Sequence, residues 1–355
     1  MTLRSLPLVF GALLAAVWFV TPAHAAGGCD LWASPNGSDS APATQDAPVR
    51  TLNVLVYRLK PGQTGCLRGG RYRHAGSVNV YTPNITITSA PGERAKIRGR
   101  LYFAPPARGV TVEHVDLDGR NAEGQPSPTV YASDATFDDI ELTNHHTAIC
   151  FNVGSYKESG ERIVVRNLVI ENSRIHHCGK MPAANHDHGI YLENTRNARI
   201  EGNAIYDNAD RAINLYPRAV GTVIRRNVMD GNGEGVLFAG DFGTASDRNV
   251  VENNVLTNGR IRSVVESYYP SGQRRGYGNV VRNNCIGGSR TISTAGGGFK
   301  VLANTVLSDP LFVDRGAKDF RLRSASPCAK LVGGAEPLPV GGGEIVPAVV
   351  GALGL

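Results

Sequence analysis

One phrase recurs along the middle of the chain: a short run of alternating apolar and polar residues that ends in asparagine. Its clearest copies are residues 199–203, 223–227, 250–254 and 280–284, and most intervals between successive copies along the chain lie in the twenties. A period of this length is typical of a solenoid, in which each repeat buries its apolar face only against its neighbours. The repeat therefore predicts an all-β chain, a single-stranded right-handed parallel β-helix.

The last residue of each copy is interpreted as a rung in a ladder that runs from coil to coil. Asparagine suits this position because it tolerates a left-handed backbone at a tight corner, and its amide can bond to the next rung. We therefore assign these residues a structural role. The predicted rungs are His114, Asp139, Asn167, Asn203, Asn227, Asn254, Asn284 and Asn304.

The two ends of the repeat region differ from its middle. Residues 51–59 are a short apolar run that predicts a capping helix over the first coil, because the terminal repeats of a solenoid must be covered. The last residues are rich in glycine and proline. We therefore divide the chain into a signal peptide (1–25), a β-helix domain (26–332) and a C-terminal tail (333–355).

The N-terminus has the three parts of an export signal. Arg4 gives the positive start, residues 8–20 the apolar run, and residues 23–25 the small-x-small cleavage site. The apolar run is too short to predict a membrane span. A lipoprotein attached through Cys29 is the second interpretation. The mature protein is expected to be secreted, in the periplasm or outside the cell.

Six cysteines fit an oxidising compartment, where they pair as structural disulfides. No two of them have the C-x-x-C spacing of a redox or zinc motif. Six cysteines permit fifteen pairings, so the pairing chosen here is a hypothesis based on local positions. It joins Cys29 with Cys66, Cys150 with Cys178, and Cys285 with Cys328.

The formal net charge of +6 predicts an acidic partner. Lysine and arginine are not gathered into runs interleaved with aromatic residues, which argues against nucleic acid. For an exported protein the expected partner is an anionic polysaccharide, bound by a monomer.

Both ends of the predicted solenoid resemble a known family. Residues 34–39 (SPNGSD), 48–52 (PVRTL) and 67–72 (LRGGRY) are similar to the opening of secreted bacterial β-helix proteins of the pectin-lyase-like superfamily. Residues 309–313 (DPLFV) and 326–328 (SPC) resemble their closing coil. The resemblance spans nearly the whole mature chain and implies the fold. It leaves the reaction open, because that superfamily includes lyases, hydrolases, epimerases and adhesins.

One interval of the ladder is longer than the others. Asn167 and Asn203 are 36 residues apart, whereas Asn203 and Asn227 are 24 apart. The excess lies between Asn172 and Gly189, and an insertion in one turn of a solenoid forms a loop that often belongs to the binding face. Six of the eight histidines of the predicted mature chain fall between residues 145 and 188. This clustering makes the loop the predicted site.

The strands that follow this corner can be stacked by their spacing. Those that start at Gly189, Ala212 and Gly235 are 23 residues apart, and the strand from Ala148 is placed in the same frame. Equivalent positions then form columns, with about 4.8 Å between coils. The predicted columns are Thr147, His188, Arg211, Glu234 and Arg262; His146, Asp187, Asp210 and Gly233; and Cys150, Tyr191, Asn214 and Leu237.

These columns suit the cleavage of an acidic sugar by β-elimination, which needs a cation for the carboxylate, a base for the C5 proton and an acid for the leaving oxygen. Arg211 can pair bidentately with a carboxylate. His188 or His186 is the predicted base, because imidazole titrates near neutral pH. Tyr191, or the other histidine, is the predicted acid, and Glu234 completes the catalytic column.

Further residues are assigned supporting roles. Asp187 or Asp210 is expected to orient an imidazole and fix its tautomer. Lys180, in the loop, is an alternative base. The predicted substrate contacts are Lys180, Asn214, His145 and His146.

No cofactor is assigned, and calcium is the alternative. Calcium-dependent β-helix lyases cluster several carboxylates, whereas here the acidic residues are mixed with Arg211. A metal site built on His186 and His188 lacks a third ligand fixed by spacing. The preferred function is a uronan lyase, with no cofactor assigned.

Other functions of the same groove remain open. A glycoside hydrolase would use two of its carboxylates, either Asp187 with Asp210 or Asp210 with Glu234. A uronan C5-epimerase would also use histidine with arginine, but the Asp-Pro-His stretch of those enzymes is absent. A non-catalytic carbohydrate-binding or surface structural protein is the alternative from another class.

Overall fold

The structure is a computed structural model that describes residues 28–157, 160 and 162–329. Over these residues the chain winds into a parallel β-helix with three faces, whose strands hydrogen-bond to those of the coils before and after. The expected fold class is confirmed. The expected signal peptide and C-terminal tail lie outside the described residues.

The first face is an eleven-stranded sheet in which each strand lies one coil from the next. Alternate residues of a strand point to opposite sides, and the inward positions Ile170, Ile200 and Ile224 are paired in register and fully buried. Its strands are Leu31–Ala33, Thr64–Leu67, Thr86–Ser89, Thr111–Glu113, Thr136–Asp138, Val169–Glu171, Arg199–Glu201, Val223–Arg225, Val250–Glu252, Asn279–Arg282 and Phe299–Leu302.

The second and third faces share two long strands, Gly70–Val80 and Ala95–Phe103, which pair with both. The other strands of the second face are Val115–Asp118, Glu141–Thr143, Arg174–His176, Ala204–Tyr206, Val228–Asp230, Val255–Thr257, Cys285–Gly287 and Thr305–Leu307. Those of the third face are Thr129–Val130, Phe151–Val153, Ile190–Arg196, Arg211–Val220, Glu234–Asp241 and Val265–Tyr268, with Val165–Arg166 beside the end of Ile190–Arg196. Antiparallel pairs join Ser155–Tyr156 to Arg162–Ile163, Glu234–Asp241 to Thr244–Ala245, and Phe312–Asp314 to Asp319–Leu322.

The predicted asparagine ladder is present in the second half of the β-helix, at the corner between the first and second faces. The amide nitrogen of Asn203 donates to the Asn227 side-chain oxygen at 3.0 Å, and Asn227 donates to Asn254 at 3.0 Å. The same contact continues through Asn284 to Asn304. These rungs therefore satisfy buried backbone groups at every coil they cross.

The earlier rungs are a correction. Ser173, whose backbone N–H donates to Asn203 Oδ1, occupies the rung position that we assigned to Asn167. Asn167 instead lies at the opposite end of the first-face strand Val169–Glu171, just before that strand begins. His114 and Asp139 each lie one residue before the rung position of their own coil. All three have left-handed φ angles between 45° and 55°. Several corners of each coil need this conformation, so residue type alone does not distinguish them.

The N-terminal end is closed by the predicted helix, which spans Leu52–Arg58. Thr51 caps it by accepting a hydrogen bond from the Val54 backbone N–H, and Leu55 and Val56 are buried in the core. No helix among the described residues has the length and apolar character needed to span a bilayer.

The C-terminal hairpin of strands Phe312–Asp314 and Asp319–Leu322 lies against the outer side of the second face. Phe320 packs on Tyr206 with 5.3 Å between ring centres, and Arg315 pairs with Asp230 at 2.8 Å. The three predicted disulfides are all present. They join Cys29 to Cys66, Cys150 to Cys178, and Cys285 to Cys328, the last of which attaches the hairpin segment to the second face.

Candidate functional site

The corner between the second and third faces carries the predicted insertion. The backbone N–H of Cys178 donates to Asn208 Oδ1, and Ile190 pairs with Ile213, so these are equivalent positions on neighbouring coils. Twelve positions separate Cys178 from Ile190, whereas five separate Asn208 from Ile213. The additional residues form a loop over positions 179–187. Its location was predicted correctly, although Asn167 was the wrong reference rung.

The predicted column of His188, Arg211 and Glu234 is confirmed. Arg211 pairs in register with Glu234, and Ile190 with Ile213, which places His188 one coil before Arg211. The neighbouring column of Tyr191, Asn214 and Leu237 is also confirmed.

The register that we predicted for the first and last members of the columns was wrong. Phe151 pairs with Ile190, so the earlier strand is displaced by two residues and Asn152, not Cys150, lies beside Tyr191. Thr147 and His146 therefore leave the columns. Val236 pairs with Val265, which puts Ser263 rather than Arg262 in register with Glu234. The corners of these coils differ in length, and constant spacing along the sequence does not carry across them.

The cluster lies on the outer side of the third face. Ile213 and Leu215 point into the core, so the intervening Asn214 points outward. His188 is on the same side, because its Nε2 lies 2.9 Å from Asn214 Nδ2 and its ring centre lies 5.4 Å from that of Tyr191. His188, Arg211 and Glu234 are nevertheless only 2%, 5% and 0% exposed. The loop and neighbouring side chains cover them.

Two arginines and two carboxylates form a buried ion network beneath the loop. Arg211 Nε lies 3.0 Å from Glu234 Oε2, and its Nη1 lies 3.4 Å from Asp210 Oδ2. Arg262 contacts the same two carboxylates, with Glu234 at 2.8 Å. The opposite charges balance, as buried charges must. Burial raises the pKa of Glu234 to about 7, and Arg211 and Arg262 oppose the rise only in part.

One loop residue covers Arg211. Its Nη1 donates to the backbone oxygen of Asn185 at 2.9 Å, and its Nη2 donates to the Asn185 side-chain oxygen. Asp187 holds the loop in shape, because its carboxylate accepts hydrogen bonds from the backbone N–H groups of Lys180 and Ala184. Both terminal nitrogens of Arg211 therefore contact the loop, while its Nε and Nη1 also contact the ion network.

His188 is held in its neutral form. Burial lowers its pKa well below the ordinary value, and the charges of Arg211, His186 and Arg262 lower it further. Asp210 is the carboxylate nearest to its ring, with Oδ2 at 3.9 Å from Nδ1. Within the described structure, His188 Nδ1, Asn214 Oδ1 and Glu234 Oε1 are buried without hydrogen-bond partners. Groups with strongly shifted pKa values, within a buried cluster of polar residues, are typical of functional sites.

The six clustered histidines do not form one site. His176 and His177 contact each other at 2.7 Å, and His176 also contacts Glu141 at 3.1 Å. His146 contacts the Gly179 backbone oxygen at 3.1 Å, outside the His188 cluster. His145 lies farther along the second face. Lys180 and His186 are exposed on the loop.

A metal does not fit the residues that we considered for one. Among the described residues, no group of three or more His, Cys, Asp or Glu side chains is arranged to hold a metal ion. Asp210 and Glu234 are neutralised by the two arginines, and Asp187 is bound to the loop backbone. The calcium alternative is therefore not supported by this arrangement.

Sequence reasoning missed three members of the site. Tyr216 lies two residues after Asn214 on the outward side, and its ring stacks with that of Tyr191 at 6.4 Å. The period of two along a strand could have found it. Arg262 was placed in a column but given no role. Asn185 had no signal in the sequence, because the conformation of a loop has no period.

The comparisons with known proteins agree with the fold. The family described as right-handed beta helix region matches residues 129–306. Pectate lyase PEL9 of Emericella nidulans is 32% identical over 133 residues, which cover 38% of this chain and 26% of that protein. The chain thus spans about a quarter of that relative's length. The crystal structure of pectate lyase Pel9A is similar with a TM-score of 0.56 and 16% identity, over 84% of this chain and 90% of that one.

Proposed function

The chain belongs to the family of right-handed β-helix proteins, and from that premise we propose that it is a secreted enzyme that cleaves an acidic, uronate-containing polysaccharide by β-elimination. The partial relative named a pectate lyase supports an acidic glycan as the substrate. Three disulfides support a site of action outside the cytoplasm.

The observation that carries this proposal is the way Asn185 binds Arg211. Two oxygens of one residue accept hydrogen bonds from Nη1 and Nη2, as the two oxygens of a carboxylate do in a bidentate pair. When the loop opens, a substrate carboxylate takes the place of Asn185. Arg211 keeps its orientation during this exchange, because Nε remains paired with Glu234.

His188 is the proposed base. Its neutral form accepts the C5 proton, the C5 electrons form a double bond to C4, and the bond from C4 to the glycosidic oxygen breaks. Nε2 is the accepting atom once substrate displaces the Asn214 amide, and the Asp210 carboxylate then stabilises the imidazolium. Tyr191 supplies the proton to the leaving oxygen. Burial raises the pKa of Tyr191, which keeps its proton available until the oxygen leaves.

The tyrosines also suit a sugar chain. Tyr191 and Tyr216 are partly exposed on the outer side of the third face, with their rings stacked. Aromatic rings with a polar tip offer both an apolar surface and a hydrogen bond. A polysaccharide lying on this face would place one acidic sugar at Arg211 and its neighbours on the tyrosines.

A glycoside hydrolase in the same site is the second candidate. Its specific support is Glu234, whose pKa of about 7 suits a general acid. The proposal prefers elimination because Glu234 Oε2 is held by both arginines, whereas the ring of His188 lies beside Tyr191, which is partly exposed.

Substitution of Arg211 by lysine tests the carboxylate contact while keeping the buried charge. We expect Arg211→Lys to weaken binding of polygalacturonate by about 1.5 to 3 kcal/mol, because lysine lacks the planar fork. Arg262→Lys is the matched control: it disturbs the same network but does not contact Asn185. Calorimetric titration measures binding, and thermal unfolding reports stability. Equal weakening by both variants would mean that Arg211 acts only through the network.

A further inference from the structure

The outer side of the second face is covered in its later coils and open in its earlier ones. The C-terminal hairpin covers the strands from Ala204–Tyr206 onward, and its cations pair with acidic residues there: Lys318 with Asp207 and Arg315 with Asp230. The first four strands of this face are not covered. A groove of about 270 Å³ lies over them.

The floor of this groove consists of two columns of outward residues. By register the first column contains Arg71, Lys96, Asp116 and Glu141, and the second contains Arg73, Arg98, Asp118 and Thr143. Successive members are about 4.8 Å apart, and the two columns are about 7 Å apart. Arg120 and His145 contribute the side of the groove.

The charges of the groove are unequal. Lys96 lies 3.2 Å from Asp116, and Asp118 is held between Arg98 and Arg120. Arg71 and Arg73 are exposed, and within the described part of the chain neither has a carboxylate within ion-pairing distance. Three carboxylates thus face five permanent cations. The open end of the groove, at the first coil, attracts anions.

We propose that this groove is a second binding site, for a linear anionic polysaccharide, with Arg71 and Arg73 as its anion contacts. The covered half of the same face already receives a chain segment through ion pairs of the opposite polarity. The carboxylates of Asp116 and Glu141 can accept hydrogen bonds from the hydroxyl groups of a sugar chain. The described lining also has no phenylalanine, tyrosine or tryptophan on which a nucleic acid base would stack. Carboxylated and sulfated glycans share the required chemistry.

The test is binding by the double variant Arg71→Ala/Arg73→Ala. We expect its affinity for polygalacturonate, for a sulfated glycan or for both to fall by about 5- to 20-fold, as the loss of two exposed ion contacts allows. The parent's affinity should fall with added salt. The matched control, Arg226→Ala/Arg282→Ala, removes the same charge from the first face. Titrations with the two polymers distinguish the two anions, and dextran and duplex DNA complete the panel.

Parent-like affinity of the double variant for both anionic polymers would overturn the proposal, and so would tighter binding of DNA than of either glycan. Because polygalacturonate also binds at Arg211 in the proposed lyase, the same titrations are repeated in the Arg211→Lys background, where the remaining affinity reports on the groove. If the parent cleaves nothing but binds a polyanion through Arg71 and Arg73, the second site stands and the proposed lyase activity fails.

Discussion

His188 and Glu234 lie one coil to either side of Arg211. Burial lowers the pKa of His188 and raises that of Glu234, so it favours the neutral form of both. For histidine this removes a positive charge and leaves a base. For glutamate it favours the protonated acid, which near pH 7 exchanges with the carboxylate that pairs with Arg211. Arg211 lies between them, so near neutral pH the column presents a guanidinium beside a neutral imidazole and a carboxyl group that titrates in that range.

Replacing His188 by alanine tests its role as the base. We expect turnover of an acidic polysaccharide to fall at least about 100-fold, since a general base acts in the transition state, while binding changes little. Steady-state kinetics and direct titration separate the two effects. His114→Ala, at a corner of the β-helix that has no part in the proposed reaction, is the control and should match the parent. Retained turnover by His188→Ala would exclude this base.

Glu234 gives the stability of the fold a definite pH dependence. Its folded pKa of about 7 exceeds the ordinary 4.5, so between these values the folded state binds the proton more tightly. The free energy of unfolding contributed by this group is therefore full at low pH and is lost as the pH rises, by up to about 3 kcal/mol. In Glu234→Gln this decrease should be absent. Urea denaturation at pH values from 4.5 to above 7 measures this decrease, with Glu252→Gln on the first face as the control.

The inserted loop is the element that covers Arg211. Asn185 is exposed, yet it binds the two outer nitrogens of Arg211. Asp187 and the Cys150–Cys178 disulfide hold the two ends of the loop. The two ends of the loop are therefore held in place, and the hydrogen bonds from Arg211 to Asn185 between them are the contact that we expect a substrate carboxylate to replace.

Replacing Asn185 by alanine removes one of the two oxygens that compete with substrate. We expect KM for an acidic polysaccharide to fall about two- to fivefold with little change in kcat, because one neutral-to-charged hydrogen bond no longer opposes opening. Met181→Ala, exposed on the same loop, is the matched control and should leave KM unchanged. A higher KM in Asn185→Ala would mean that Asn185 contacts the substrate.

The individual elements also show which parts of the structure could be predicted from the sequence. Asn203 through Asn304 were found because buried rungs leave a repeated residue at a regular interval. The register from Gly189 to Gly235 was found because those coils have equal length. His146 and Thr147 were placed in the wrong register because their corner has its own length, and an interval between residues does not reveal which corner contains the extra residues. The contact of Asn185 with Arg211 depends on the conformation of the loop, which leaves no pattern in the sequence.

At the scale of the molecule, the fold separates two surfaces. The third face carries the buried cluster, the tyrosines and the loop. The second face carries the basic groove in its first coils and the C-terminal hairpin in its later ones. The formal charge of +6 indicated an acidic partner but not where it binds. Only the three-dimensional arrangement of the coils shows which surface carries the excess positive charge.

The most direct test of the proposed activity is product analysis with the parent protein. It is incubated with polygalacturonate, with alginate and with carboxyl-reduced polygalacturonate, the matched neutral polymer. We predict that one of the acidic polymers yields new reducing ends together with an equal amount of ultraviolet-absorbing unsaturated product, that the reduced polymer yields neither, and that His188→Ala yields neither from any polymer. New reducing ends without unsaturated product would contradict elimination and indicate hydrolysis. Inversion at C5 without chain cleavage would contradict it in favour of epimerisation.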